Sequence, residues 1–234
     1  MKSLSILIPI YNEEESLQAL FDELKSSFEN NQSIEIIFIN DGSSDMSQKV
    51  IENEIANYST WKLINLYRNY GKSVALQSGI DIASNELIAT LDGDLQDDPK
   101  ELINLVRELN EYDVIVGWKK NRLDPFEKKI ASKIFNFFIK LFSGLKIKDS
   151  NSGIKVLKKE VAKSLNLYGG RHRYIPLLAH QKGFDVKEIP VNHRERKFGK
   201  SKYGAERYKH GFFDFMTILF LGKYMDRPLH FFGM

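Results

Sequence analysis

The sequence predicts an α/β protein: a mostly parallel sheet with helices on both faces. Three observations carry this. Apolar runs of strand length alternate with helical patterns five times before residue 120. Connections between them are short, which suits crossover units of a parallel sheet. The turns that follow several runs are rich in Asp, Asn and Gly. With 234 residues and 42% hydrophobic content, the chain can form one large domain, or a domain with an appendage.

Residues 4–10 read as a buried strand ending in Pro9-Ile10-Tyr11-Asn12-Glu13-Glu14. Leu17, Leu20, Phe21, Leu24 and Phe28 then recur at helical spacing. Asn12 is the expected N-cap, with Glu13 favouring the helix dipole. The functional alternative places Pro9, Tyr11 and Glu13 around a nucleotide at the strand end. A second strand, residues 34–39, runs into Asn40-Asp41-Gly42-Ser43-Ser44-Asp45, a turn by composition. In α/β nucleotide folds this position also holds a base- or ribose-binding acid. A helix over 47–57 and a strand over 62–66 follow. Arg68-Asn69-Tyr70-Gly71-Lys72 then opens a helix to about Ala83. Lys72 either neutralises a phosphate or is simply solvated. Neither a Walker pattern nor Gly-x-Gly-x-x-Gly occurs, which excludes an ordinary ATPase or dinucleotide site.

The stretch Leu91-Asp92-Gly93-Asp94-Leu95-Gln96-Asp97-Asp98-Pro99 follows an apolar strand over 86–91. Pro99 opens a helical pattern with Leu102, Ile103, Val106 and Leu109 on one face. Ligands of open α/β sheets bind outside the carboxyl ends of the strands. Asp92 and Asp94 alternate across Gly93, so both can aim at one point. Two carboxylates and the Gln96 amide oxygen suit a hard cation such as Mg²⁺ or Mn²⁺. The plainer reading is an acidic turn in which Asp97 or Asp98 caps the helix. This segment alone does not separate the two.

A strand over 113–117 leads to Trp118-Lys119-Lys120, and there the character changes. Residues 1–118 carry 8 Lys+Arg against 21 Asp+Glu, and residues 119–234 carry 26 against 10, so net charges of −13 and +16 sum to +3. Such asymmetry suggests a basic face for an anionic partner. Residues 126–142 form a basic amphipathic helix by pattern, suited to core packing or to a membrane surface. Asp149-Ser150-Asn151-Ser152-Gly153-Ile154-Lys155 is a polar turn, followed by a helix near 174–182 and a strand near 184–191. His193 to Tyr203 reads as a mobile cationic loop fit to clamp a diphosphate. The apolar run 211–221 is too short to span a bilayer, which needs about 20 residues. It either finishes the core or lies in the interface. The aromatic end Arg227-Pro228-Leu229-His230-Phe231-Phe232-Gly233-Met234 reads as a chain cut before something hydrophobic. The absence of Cys excludes disulfides and thiolate metal sites. The N-terminal apolar run is too short for a signal peptide.

Five motifs stand in order: Pro-x-Tyr-Asn-Glu (9–13), Asn-Asp-Gly-Ser-x-Asp (40–45), Arg-Asn-x-Gly-Lys (68–72), Asp-Gly-Asp-Leu-Gln-Asp (92–97) and Arg-x-x-Gly-x-Ser-Lys (196–202). Through them the chain resembles the family-2 inverting glycosyltransferases. Within these it is similar to the dolichyl- and polyprenyl-phosphate hexose synthases, over essentially its whole length. The resemblance implies a GT-A fold with C-terminal amphipathic interfacial helices. Residues 1–203 would be the catalytic domain, and 204–234 a juxtamembrane segment ahead of transmembrane helices that many bacterial relatives carry. Pro9, Tyr11, Glu13, Ile39 and Asp41 would hold the nucleotide, with Asp92 and Gly93 lining the donor site. Asp94 and Gln96, with Asp92 as a further ligand, would bind Mg²⁺ or Mn²⁺. Arg196 and Lys202 would grip the diphosphate and the acceptor phosphate. Lys119 stands where the family often has Arg, keeping the charge without the bidentate fork.

The expected reaction moves a hexose from a nucleotide-diphosphate sugar, of UDP-glucose or GDP-mannose type, to undecaprenyl or dolichyl phosphate. A lipid phosphate is already an anion at neutral pH and needs no general base. Asp149 would serve as base only for a hydroxyl acceptor, and otherwise caps its turn. The expected partners are the donor, the lipid and the cytoplasmic face of a membrane, reached peripherally or through a longer form. Self-association into a homo-oligomer is compatible with the sequence. No nucleic acid is expected. The alternatives are a soluble family-2 transferase acting on a glycan hydroxyl and a non-catalytic nucleotide- or nucleic-acid-binding module, against which the acidic segment stands.

Overall fold

The computed structural model describes residues 2–28, 31–119, 143–195, 213–218 and 220. The chain runs β1 (Leu4–Ile10), α1 (Glu14–Phe28), β2 (Ile34–Asn40), α2 (Ser47–Ile55), β3 (Trp61–Asn65), α3 (Lys72–Ile82), β4 (Leu87–Thr90), α4 (Glu101–Glu108) and β5 (Val114–Lys119). Then come β6 (Lys155–Lys158), α5 (Lys159–Ser164), a 3₁₀ turn (Arg171–Tyr174), α6 (Ile175–Gln181) and β7 (Val186–Val191). The sheet order is β3-β2-β1-β4-β6-β5-β7. Only β6 runs antiparallel among the described strands, wedged between β4 and β5.

Strand alternation sends successive side chains to opposite faces. On β1, Leu4, Ile6, Ile8 and Ile10 pack with Leu17, Leu20, Phe21 and Leu24 of α1 and with Leu102 and Leu105 of α4. Leu7, between them, joins Ile37 and Ile39 of β2 under Ala75, Leu76 and Ile80 of α3. Both faces are thus covered, and the central strands read as continuous apolar runs. A small third cluster joins Leu145, Ile147, Tyr174 and Leu177 to Phe215 and Ile218 of the helical residues 213–218. Phe213 and Met216 of that segment stay exposed. The described part of the 211–221 run therefore completes the core on one side and shows apolar side chains on the other. Among the described residues no helix is long and apolar enough to cross a membrane. Residues 126–142, most of the 193–203 loop and the last fourteen residues lie outside the described part.

The chain grows outward from β1 through β2 and β3, then crosses to the other side of β1 to form β4. That reversal opens a crevice at the carboxyl ends of β1 and β4. The starts of α1 and α2 face each other there and satisfy one another. Glu13 N–H donates to Ser47 Oγ (3.0 Å) and Glu14 N–H to Asp45 Oδ2 (3.2 Å). In return Ser44 N–H donates to Asn12 Oδ1 (2.8 Å) and Met46 N–H to Glu14 Oε2 (2.8 Å). At φ 50° the Asn12 side chain reaches across to the second turn. Ahead of α4, Asp98 accepts Lys100 N–H at 3.0 Å within the preceding turn, and no side chain caps the helix itself.

At the opposite end of the sheet Glu35 is buried. It accepts Ser5 Oγ–H (2.5 Å), Lys62 Nζ–H (2.5 Å) and both the N–H (3.1 Å) and hydroxyl (2.8 Å) of Ser84. Burial alone would raise its pKa. The lysine and these hydrogen bonds outweigh it and bring the value down to about 2. Glu35 thus ionises more readily folded than unfolded. The stability it supplies is full above the unfolded pKa and is lost as pH falls toward 2. Glu35→Gln should cost on the order of 2 kcal/mol at pH 7, with a deficit that shrinks between pH 5 and pH 3. Urea unfolding across that range checks it; a pH-independent deficit would contradict it.

Candidate active site

The crevice is lined by Pro9, Tyr11 and Glu13 after β1, Asp41 after β2, Gly71 and Lys72 at the start of α3, and Asp92, Gly93 and Asp94 after β4. Four chain segments remote in sequence thus converge on one cleft. Ile39 is not among them. It is buried beneath α3 with Leu7 and Ala75 because β2 is covered on both faces. Asp41 faces the cleft, and each of its oxygens accepts a backbone N–H: Tyr70 at 2.8 Å and Gly71 at 2.9 Å. Burial pushes its pKa up while these two bonds oppose the shift. The carboxylate fixes the loop that delivers Lys72. Gly42 lets that loop come close, because a Cβ there would sit 2.3 Å from the Arg68 carbonyl carbon.

The acidic segment is held from both sides. The Ser16 hydroxyl lies 3.2 Å from the Gly93 carbonyl. Asp94 Oδ1 accepts Gln96 N–H at 3.2 Å. Leu95 between them has φ 60°, a left-handed conformation that costs a non-glycine residue about 1 kcal/mol or more. Such strain tends to sit at functional sites. Gln96 does not line the cleft with Asp94; its carbonyl accepts Arg194 N–H at 2.9 Å. Arg194 itself turns from the cleft to fork onto Glu23 (2.6 Å) and Asp98 (2.5 Å), anchoring the start of the basic loop to the acidic turn. Arg196 and Lys202 lie outside the described residues.

Behind the cleft floor is a buried charge cluster. Lys119 pairs with Asp97 at 2.9 Å, both nearly inaccessible. Burial opposes the charge on Lys119, but Asp97, Asp92 and Asp149 together raise its pKa. Lys155, on β6, donates to the Ser152 carbonyl. Burial and the neighbouring Lys72 lower its pKa to about 8, while Asp92, Asp149 and Asp97 hold it up. Asp92 contacts Lys72. Burial works against its ionisation, yet Lys72, Lys119 and Lys155 keep its pKa far below the usual carboxylate range. Lys119 and Asp149 therefore stand one layer behind the cleft, and Asp149 is fully buried, within reach of the Lys119 and Lys155 charges and beside the Glu188 carboxylate that accepts its N–H. His172 meets Ser73 through Nδ1 (2.9 Å) and its own N–H (3.0 Å). Burial and then Lys72, Arg173 and Lys155 keep it neutral.

Asp97 entered as a cap candidate and as the last residue of the 92–97 motif, whereas Lys155, Gly153 and His172 carry no site signal in any of the five motifs. A lysine inside the apolar stretch Ile154–Leu157 was the available signal. Gly153 had none: its constraint is tertiary, since a Cβ would meet Asp92 Oδ2 at 2.6 Å and Asp97 Oδ2 at 2.8 Å.

A family model for glycosyl transferase family 2 matches residues 5–165. The chain belongs to glycosyltransferase family 2. It is 36% identical over 237 residues to the dodecaprenyl-phosphate galacturonate synthase of Rhizobium johnstonii, spanning 98% of this chain and 70% of that protein. It is also 36% identical to the undecaprenyl-phosphate 4-deoxy-4-formamido-L-arabinose transferase of Yersinia pestis, over 94% of this chain and 68% of that one. Both relatives are named for sugars carried on a polyprenyl phosphate. The fold is shared with the Pyrobaculum calidifontis mannosyltransferase PcManGT, solved with GDP-Man and Mn²⁺ (TM-score 0.68, 15% identity, 92% of this chain and 64% of that chain). It is shared too with the glucosyl-3-phosphoglycerate synthase of Mycobacterium tuberculosis (TM-score 0.71, 15% identity, 94% and 80%). This chain thus spans less than two thirds of PcManGT. The glycosyltransferase family-2 fold places the cleft of this chain where a nucleotide-binding sheet keeps its ligand.

Gly153→Ala should push Asp92 and Asp97 off their positions. It should lower turnover by at least about tenfold and stability by about 1–3 kcal/mol. Parallel kinetics and thermal unfolding check this; an active, fully stable variant would contradict the packing described.

Proposed function

We propose that this protein is an inverting transferase that moves a sugar from a nucleoside diphosphate onto a polyprenyl phosphate at the cytoplasmic face of a membrane. The observation that carries this reading is the 36% identity, across nearly the whole chain, to two proteins named for polyprenyl-phosphate sugars. In the reaction a phosphate oxygen of the lipid bonds to the anomeric carbon from the face opposite the leaving group. The bond to the diphosphate oxygen breaks and nucleoside diphosphate departs with the electron pair. The attacking oxygen is already anionic, so no base is required, which suits the burial of Asp149.

The residues of the cleft fit a divalent cation by chemistry. Among the described residues no three His, Asp or Glu side chains form a preformed metal cage. Mg²⁺-type sites commonly use one or two carboxylates and complete their shell with substrate phosphates. Asp92 and Asp94, flanking Gly93 in the cleft, supply those two carboxylates, and Asp92 already carries a cationic partner in the Lys72 ammonium. When bound, Mg²⁺ or Mn²⁺ would neutralise charge on the departing diphosphate. Lys72 stands ready to add to that neutralisation, with Arg196 and Lys202 joining from the basic loop. Pro9, Tyr11, Glu13 and Asp41 would form the nucleotide wall, with Asp41 holding the loop that shapes it. Exposed Phe213 and Met216 would face the lipid side.

The purified chain, Mn²⁺ or Mg²⁺, a polyprenyl phosphate in detergent and a panel of labelled nucleotide sugars test the reading. Metal-dependent label should pass into the organic phase from one donor class, naming the sugar. Label that moves only to an added oligosaccharide would overturn the lipid acceptor in favour of a soluble transferase. In the same assay Asp94→Ala should cost at least about a hundredfold in turnover with an unchanged fold. Wild-type activity in that variant would remove Asp94 from the metal site.

A further inference from the structure

Three lysines surround Asp92, and two are occupied elsewhere. Lys119 is paired with Asp97, and Lys155 is bonded to the Ser152 carbonyl. Lys72 alone of the three lines the cleft, and its Nζ sits on Asp92 Oδ1. The pair is only half buried, with Lys72 23% and Asp92 29% exposed at the side chain, so it can open without burying a naked charge. Lys72 is also the first residue of α3, and no acid stands in that helix's first turn. A cation there opposes the helix dipole, which favours an anion. Contact with Asp92 offsets this; a diphosphate would offset it equally well.

We propose that Lys72 is an exchangeable counter-cation: its ammonium occupies the divalent-cation seat on Asp92 while the cleft is empty, and an incoming nucleoside diphosphate draws it away. The inference rests on the proposed metal seat at Asp92 and Asp94. Two cations cannot share one carboxylate oxygen without strong repulsion. Metal entering alone must therefore displace Lys72 with no new partner for it. Metal entering with nucleotide finds Lys72 transferred to the phosphates. A lysine suits this exchange because its ammonium is a point charge on a flexible four-carbon stem, with no fixed fork to hold it in place. The consequence is an ordered site that takes its metal with the donor and keeps Asp92 compensated at all other times.

Mn²⁺ binding to the full chain, followed by the loss of the free-ion paramagnetic resonance signal, tests this with no turnover involved. Without nucleotide, Lys72→Gln should bind Mn²⁺ roughly tenfold more tightly than wild type, within the usual range of site-to-site coupling. Without metal, the same variant should bind UDP or GDP more weakly. The mutual enhancement of metal and nucleotide should shrink accordingly, since linkage makes it reciprocal. Lys119→Gln, which removes a charge that reaches Asp92 only through space, should raise Mn²⁺ affinity less. Lys72→Arg, which keeps the charge and guards against a folding defect, should suppress nucleotide-free Mn²⁺ as wild type does. Unchanged or weaker Mn²⁺ binding by a folded Lys72→Gln would overturn the proposal, as would an equal gain in Lys119→Gln. If wild type binds Mn²⁺ with nucleotide and Asp94→Ala does not, the metal seat stands even when the Lys72 inference falls. If no form binds Mn²⁺, both fall.

Discussion

The structure depends on a set of opposed charges packed where water cannot reach them. Asp97 and Asp149 are buried, and so is Lys155; Lys119 is nearly so. Removing a lone ion from water costs several kcal/mol, and only a partner in good geometry offsets it. Lys119 and Asp97 pair directly at 2.9 Å, and the Lys119 and Lys155 charges feel Asp149 and Asp92 through space. Three parts of the chain must meet for that to hold. The acidic turn after β4 brings Asp92 and Asp97, β5 ends on Lys119, and β6 inserts Lys155 between them. Among the described strands β6 is the one that runs antiparallel. It places a lysine behind the carboxylates, and it places Gly153, the one residue type that fits between Asp92 and Asp97. Thr90 fixes that glycine by donating its hydroxyl to the Gly153 carbonyl at 2.6 Å.

The cluster matters to function because it ends at the cleft. Its buried layer holds Asp92 ionised, and Asp92 presents one oxygen to Lys72 at the cleft wall. The opposite wall is set by a second device. Asp41 spends both oxygens on the backbone that positions Lys72. The facing starts of α1 and α2 are locked by reciprocal caps. The backbone of both walls is thus fixed by the fold, and electrostatic stabilisation of a leaving diphosphate relies on such preorganisation.

The alternation of apolar strands and amphipathic helices made the α/β class readable, since period-2 and period-3.6 patterns are local. The acidic turn was readable as a site for the same reason: its residues are neighbours in sequence. What escaped is tertiary. Lys119 and Asp97 are 22 positions apart, and nothing local says that they pair. β6 is only four residues long and follows a polar turn, so its direction and its wedged position have no sequence signature. Asn12 has the composition of an N-cap, yet its oxygen serves a turn 32 residues away. The resemblance assigns Ile39 to the nucleotide, but sheet packing turns its side chain into the core. The motif positions that reach the cleft, Pro9, Tyr11, Glu13, Asp41, Asn69, Gly71, Lys72, Asp92, Gly93 and Asp94, lie at or near the ends of strands and the starts of helices. There the direction of the element, rather than packing on it, decides where a side chain goes.

The central claim is that Asp92 and Asp94 form one cation seat at the carboxyl end of β4, with the donor diphosphate beside it. A crystal of the full chain grown with Mn²⁺ and a nucleoside diphosphate, measured for anomalous scattering, tests it directly. One strong peak is expected within coordination distance of Asp92 and Asp94 carboxylate oxygens, with diphosphate oxygens completing the shell. A peak bound elsewhere, or a diphosphate seated in the cleft with neither carboxylate on the metal, would contradict it.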